Sequence, residues 1–403
     1  MPAIGRTAWL VLGLNTLSCL GSGLTRPFLI VYLHAVRGID LATSGVLLGS
    51  IGVAGLATMP VAGILIDRIG PFKTFAVGQV IGGVGTAAFV LAASPISALA
   101  ACVLLGMSGG ITTNGLSSLL AVIVPPGQRG AVFGLGYTTY NVGIGLGALT
   151  AGFVVVAGSP HAYAIVFLAD GVSFLLFAVA LVMLESRAPR VARDRAVATV
   201  GYRKVLSDRA LLASFLLNTL FWTAALSQST VAFPAWATGP AGSSTTVVGV
   251  AFAVNTAVIA LSQLFVIRWL RGRKRTTGAA AAGIAFGVSW LLLLTTWHGG
   301  SHLAMVLVLM LAVFALGEAL LAPTLPALIN DLAPDHLRGR YNAVFNLSTQ
   351  IGQIVGPALA GLLLGGAAFA LPVVLSLACL STAVLAVAVR RAVPLRADVG
   401  ATN

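Results

Sequence analysis

Charge is the scarcest thing in this sequence. Of 403 residues only 8% are Asp, Glu, Lys or Arg, and just 10 are acidic. Soluble proteins carry roughly 25% charge, so this chain cannot cover a water-facing surface. That excludes a cytosolic enzyme, and it excludes a nucleic-acid binder despite a formal net charge of +13. Cysteine is nearly as rare: Cys19, Cys102 and Cys379 lie alone in separate apolar runs, with no C-x-x-C. Neither disulfides nor thiolate metal sites are expected. Only 3 of the 23 basic residues are lysine, which reads as the codon bias of a GC-rich bacterial genome. Nucleophile elbow, H-E-x-x-H, phosphate-binding G-x-x-x-x-G-K-[ST] and paired-carboxylate motifs are all missing. The chain is therefore expected to be no enzyme, and ATP-driven transport would need another subunit. His298 and His302 stand four apart, but Gly299-Gly300 between them breaks a helix. No metal and no cofactor are expected.

What is abundant is apolar surface: 58% hydrophobic residues and a mean hydropathy of +1.01. This is an integral membrane protein with the lipid bilayer as its solvent. At about 33 residues per span and connection, the length accommodates twelve helices. Apolar runs fall at about 8–33, 42–66, 74–93, 97–124, 130–157 and 162–184, then at about 210–238, 246–267, 276–297, 302–330, 341–364 and 369–389. Most are long enough to cross ~30 Å of hydrocarbon at 1.5 Å per residue. Barrel strands are excluded, because the runs lack period-2 alternation. The first run resembles a secretion signal in following Arg6, but it continues past Arg26 without a well-placed small-x-small site. An uncleaved first helix is expected.

The basic residues sit between the runs. With residues 1–7 placed inside and sides alternated, 21 of the 23 fall on one side; Arg37 falls on the other and Arg26 within a span. Positive charge marks the cytoplasmic side. The reading is a multi-pass, monomeric protein of a bacterial cytoplasmic membrane with both termini in the cytoplasm.

The chain also repeats itself. Residues 116–152 shifted by 209 fall on 325–361, aligning Pro125/Pro334, Arg129/Arg338, Gly130/Gly339, Gly143/Gly352, Gly147/Gly356 and Gly152/Gly361. The fold class is all-α, with two pseudo-symmetric six-helix bundles at 1–185 and 210–403 and a basic cytoplasmic linker at 186–209. Parallel halves of this kind place a substrate path at their interface near the midplane.

On these residues the chain resembles the major facilitator superfamily over essentially its whole length. Gly63-Ile-Leu-Ile-Asp67-Arg68-Ile-Gly70-Pro71-Phe72-Lys73 is similar to the family's G-x-L-x-D-R-x-G-R-K loop between helices 2 and 3. Gly63, Asp67, Arg68 and Gly70 match, while Pro71 and Phe72 replace two basic residues. The resemblance implies a cytoplasmic gate: Gly63 letting two helices approach, and Asp67 and Arg68 latching one transport state. The second-half counterpart, 268–275, keeps the basic run and has lost the acid. The helix 5 G-P mark of family antiporters is absent here, and Gly356-Pro357 carries it in helix 11 instead. The family's helix 4 arginine, tied to proton coupling, is missing; Cys102 and its neighbours occupy that region before Gly106. Length, Pro27 and the helix 10–11 pattern most resemble twelve-helix bacterial drug/proton antiporters.

Charges inside spans cost ~2.5–3.5 kcal/mol or more at the helix centre, so their presence points to a wet cavity. Glu318, near mid-depth in the tenth run, is the candidate proton-coupling carboxyl; the alternative is a carboxyl locked in an ion pair or hydrogen bond. Arg26 lies roughly 10 Å deep and continues a stripe of Asn15, Ser18 and Ser22 on one face of the first helix; the alternative is snorkelling. Family helices 1, 4, 7 and 10 line the cavity, which implies that Arg26 and Glu318 share one chamber. Asp170, in the sixth run, is expected to pair locally. Asn114, Asn218, Trp222, Gln228 and Asn255 are softer cavity candidates that also suit helix–helix hydrogen bonding.

These features are read as a secondary active transporter exporting a small amphipathic or aromatic compound in exchange for protons by alternating access. An importer or facilitator of a small metabolite, anions included, is the second reading. A receptor or lipid flippase is the third.

Overall fold

In the computed structural model, residues 5–124, 129–155, 159–185, 203–296, 302–334 and 337–399 are described. Most of the linker at 186–209, and His298, lie outside these residues. The described residues hold helices and no strand. Eleven helical segments among them are long and apolar enough to cross a membrane. In chain order the helices are α1 Arg6–Val36, α2 Leu41–Ile69, α3 Pro71–Leu91, α4 Pro95–Ile123, α5 Arg129–Val154, α6 Pro160–Glu185, α7 Arg209–Thr238, α8 Thr245–Leu270, α9 Arg275–Thr296, α10 Leu303–Leu332, α11 Arg338–Gly366 and α12 Ala370–Val389. The 26-residue α5 stands where the sequence places the fifth span. A short α13, Leu395–Val399, follows.

The chain divides into two compact units, Met1–Arg195 and Ala196–Asn403. In the first unit α1 packs on α5 and α6, α3 on α4 and α6, and α2 on α4. In the second, α7 packs on α11 and α12, α9 on α10 and α12, and α8 on α10. Each unit thus repeats one pairing scheme, as the 209-residue sequence repeat requires. Each has its own aromatic core. Phe75 and Phe177 meet edge to face at 5.2 Å in the first unit, and Phe286 and Phe314 meet at 4.6 Å in the second. Outward faces carry Leu261, Phe265, Leu175 and Val384, all exposed. On a soluble protein such apolar surface would be a liability; here it is what lipid solvates.

The first and seventh runs are not single straight helices. α1 is α-helical over Arg6–Thr25, passes through a 3-10 turn at Arg26–Phe28, and ends in a π turn at Tyr32–Val36. Pro27 has no amide hydrogen and its ring crowds the preceding turn, which breaks the i to i−4 ladder. α7 contains a π turn at Trp222–Leu226 and a break at Val231, three residues before Pro234. Both irregular segments fall inside spans, where π turns commonly serve function.

The helix ends follow local chemistry. The Asp40 carboxylate accepts from the Thr43 amide at 2.8 Å and caps α2. Asp208 caps α7 by accepting from the Ala210 and Leu211 amides, and its second oxygen accepts from the Tyr341 hydroxyl at 2.7 Å. Gly70 closes α2 with φ +88°, a conformation that side-chain-bearing residues rarely adopt, and Pro71 then starts α3 at its first position. Helix termination thus accounts for Gly70 of the loop motif and for the Pro71 that departs from it.

Candidate functional site

Glu318 sits in α10 and is partly buried. The Asn255 side chain, from α8, donates to Glu318 Oε2 at 2.7 Å and to the Leu311 carbonyl at 3.3 Å. Because Leu311 offers only an acceptor there, the contact identifies the donating nitrogen of Asn255. Among the described residues no Lys, Arg or His lies within ion-pair distance of Glu318. Of the two forms of locking that the alternative to proton coupling allows, the hydrogen bond is present, and no ion pair is found among the described residues. An amide N–H can donate equally to a carboxylate and to the carbonyl oxygen of a neutral acid. Asn255 can hold this carboxyl through a change of protonation without rebuilding the helix packing.

In the first unit, the expected polar stripe divides. Asn15, Ser18 and Ser22 are buried, and Asn15 Nδ2 donates to Cys19 Sγ at 3.6 Å. Arg26 is exposed and makes no ion pair among the described residues. The Arg26 amide still donates to the Ser22 carbonyl and its backbone is α-helical, so Arg26 stays one turn beyond Ser22 on that side of the helix, and the 3-10 turn begins only there. So three stripe members are buried and the fourth, at the end of the α-helical stretch, is exposed. Thr25, next to Arg26, donates to Asp170 Oδ2 at 2.8 Å. Asp170 is 1% exposed, and its other oxygen has no hydrogen-bond partner among the described residues. Its hydrogen-bond partner is thus a hydroxyl on α1, and among the described residues it makes no ion pair.

The α7 candidates are engaged in helix packing. Asn218 donates to Ser348 Oγ at 2.7 Å and Thr349 Oγ1 at 3.0 Å on α11. Gln228 is fully buried and donates to the carbonyls of Thr223 at 2.6 Å and Gly356 at 2.9 Å. Gln228 Oε1 has no partner among the described residues. Trp222 is partly buried at the start of the π turn, and a Cβ on Gly352 would lie 2.3 Å from the Trp222 Cβ. The small residues of α11 are therefore what lets it lie against α7. Asn114 is on α4, and its side chain lies outside the described residues.

At the α2–α3 loop one expectation needs correction. A Cβ on Gly63 would meet no atom within 4 Å, so Gly63 permits no close approach here. Asp67 and Arg68 are exposed and form no ion pair among the described residues. The close approach of helices is made elsewhere: a Cβ on Gly147 would fall 2.1 Å from the Leu20 carbonyl oxygen.

The second unit handles the matching place differently, in a way the sequence reading missed. The loop at 268–275 has no acid, but two arrive from outside it. Asp331, at the end of α10, pairs with Arg275 at 2.6 Å. Asp398, on α13, accepts from the Thr276 amide and hydroxyl, both at 2.9 Å. Arg275 also donates to the Ala397 carbonyl at 3.0 Å. No local pattern announces these contacts, because the partners of Arg275 and Thr276 are 56 and 122 residues away in sequence.

An all-helical membrane protein whose two units repeat one helix-pairing scheme is the architecture of a transporter built by duplication. The model of the Major Facilitator Superfamily matches residues 11–239 and 222–401, and the chain belongs to that family. It is a membrane transport protein and no enzyme. It is similar to the uncharacterized MFS-type transporter YttB of Bacillus subtilis, 27% identical over 350 residues, covering 85% of this chain and 84% of that protein. It is also similar to a Na(+), Li(+), K(+)/H(+) antiporter of Planococcus maritimus, 24% identical over 82% of this chain and 83% of that protein. The quinolone resistance protein NorA of Staphylococcus aureus is 27% identical over 41% of this chain and 42% of its own length. Among solved structures, a POT family transporter in complex with 5-aminolevulinic acid shares the fold, with a TM-score of 0.79 at 14% identity over 95% of this chain and 96% of that one.

Proposed function

We propose that this protein exports a small amphipathic or aromatic compound across a bacterial cytoplasmic membrane in exchange for protons, by alternating access, with Glu318 as the proton-carrying carboxyl. The observation that carries the reading is a membrane-embedded acid, partly buried and free of any cationic partner among the described residues, held by an amide donor that suits both of its protonation states. A buried acid locked in an ion pair would resist protonation; this one has no such lock. The likeness to an antiporter and, over less than half the chain, to a quinolone resistance protein supports exchange and export.

Arg26 takes the complementary part. Its exposed guanidinium is available to an anionic group of the substrate or to the field around the proton site, in the chamber that the family resemblance implies. Asn255 positions Glu318. Asp67 and Arg68, without an ion pair among the described residues, latch the cytoplasmic side in the opposite state. The positive-inside pattern places both termini in the cytoplasm, and the transporter works as a monomer.

The test is transport in proteoliposomes under an imposed pH gradient. Glu318→Gln keeps the hydrogen-bonding shape and removes the titrating proton, so gradient-driven export should fall to background while the protein stays folded. Undiminished gradient-driven export by that variant would remove Glu318 from the mechanism. Net uptake down the same gradient would favour the importer reading.

A further inference from the structure

At one membrane-facing end of the second unit lies a cavity of about 420 Å³ lined by Lys274, Val387, Arg390, Arg391, Leu395 and Asp398, with Val393 completing the wall. That volume falls in the range of small-ligand sites, roughly 300–1,000 Å³. Lys274 directly precedes α9, and Arg390 and Arg391 directly follow α12. The two helices pack side by side, with Ser376 of α12 donating to the Gly287 carbonyl of α9 at 2.9 Å. The cavity therefore opens at the membrane surface where two adjacent spans end.

Its electrostatics are one-sided. Among the described residues, the side chains of Lys274, Arg390 and Arg391 have no ion pair. The one acid in the wall, Asp398, is 1% exposed, and both its oxygens accept from Thr276. With both oxygens so committed, it is outnumbered in the wall by the three basic residues. Beside them, Val387 and Leu395 are 58% and 64% exposed. A free inorganic anion has no use for apolar side chains next to its charge. A lipid does, because its acyl chains begin where its phosphate ends.

We propose that this cavity binds the phosphate of an anionic phospholipid headgroup, with Arg390 and Arg391 contacting the phosphate, Lys274 closing the far side, and Val387 and Leu395 receiving the first acyl carbons. Basic pockets at the ends of membrane helices are suited to such headgroups. The site lies within one unit and does not depend on which compound is transported or in which direction.

The test uses the purified full-length protein and short-chain phosphatidylglycerol, phosphatidylcholine of the same chain length, and inorganic phosphate, with bound ligand counted by native mass spectrometry. Phosphatidylglycerol should bind in preference to phosphatidylcholine and should not be displaced by inorganic phosphate at equal concentration. Each basic residue near such a surface contributes about fivefold in affinity. Arg390→Gln/Arg391→Gln should then weaken phosphatidylglycerol by about thirtyfold. The control pair Arg268→Gln/Arg271→Gln removes two exposed charges of the same basic region outside the cavity, and should change affinity by less than about threefold. Equal binding of the two lipids, an equal loss in the control pair, or displacement by inorganic phosphate would each overturn the assignment. All four arginines are exposed, so folding should survive, and circular dichroism checks it.

Discussion

The glycines of this chain make opposite predictions according to where they sit. At Gly147, on α5, an added Cβ would lie 2.1 Å from the Leu20 carbonyl oxygen and 2.8 Å from the Gly23 Cα. Both neighbours are backbone of α1, so no side chain can swing away and the two helices must separate. Overpacking a close contact costs about 1–3 kcal/mol, while replacing glycine by alanine within a helix returns about 0.5–1 kcal/mol. From the middle of the two ranges, Gly147→Ala should therefore destabilise the protein by about 1 kcal/mol. Gly63 matches the family loop, yet its added Cβ would meet nothing within 4 Å. Gly63→Ala should be neutral or stabilising by up to about 1 kcal/mol. Unfolding of the purified protein with increasing SDS, followed by circular dichroism, ranks the two variants against the parent. Finding Gly147→Ala as stable as the parent, or Gly63→Ala less stable by more than about 1 kcal/mol, would refute the packing argument.

Other substitutions separate packing from transport. Asp208→Ala removes the α7 cap and the acceptor of Tyr341, and should cost about 1–2 kcal/mol in the same unfolding assay. Asn218→Ala breaks two contacts to α11; interhelical polar contacts in membrane proteins average about 0.6 kcal/mol, so a small loss of stability with transport largely retained is expected. Hydrogen bonds from Thr43 hold the exposed Asp40 carboxyl below its ordinary range. Since its folded value lies below its unfolded one, its contribution is present above the unfolded value and is lost as pH falls through the folded one. Parent and Asp40→Asn should accordingly differ in hydrogen exchange at the start of α2 by an amount that changes only at acid pH.

The spans and the duplication were legible because membrane burial imposes a coarse rule, ~20 apolar residues per crossing, and small residues at crossings leave a periodic trace. The phased glycines at 143, 147, 352 and 356 record the same two helix contacts that the structure shows, α5 on α1 and α11 on α7. The polar residues were less legible. Counting 3.6 residues per turn puts Arg26 on the face of Asn15, Ser18 and Ser22, and its amide does donate to the Ser22 carbonyl, but the count does not say that those three are buried while Arg26 is exposed. Glu318 could be singled out by its cost in the membrane, but its partner Asn255 is 63 residues distant and on another helix. A sequence prices a buried charge without naming what holds it.

The same limit explains the loop at 268–275. Its loss of the motif acid invites the inference that the second half has given up the electrostatic contact at this place. The contact persists with different donors of negative charge. Asp331 reaches Arg275 from the end of α10, and Asp398 reaches Thr276 from beyond the last span. A helix N-terminus and an arginine at a membrane surface favour nearby negative charge wherever it comes from, so the acid is free to move in sequence so long as it returns in space. In the first unit the motif acid is kept and stands without an ionic partner among the described residues. If Asp67 serves a latch, then its contact is made in a state other than this one. The second-unit contacts, already formed and partly buried, instead tie the ends of α9, α10 and α13 together. Arg275→Gln should therefore loosen α13 in hydrogen exchange while Arg68→Gln leaves the ends of α2 and α3 unchanged, because only the first removes a bond that exists.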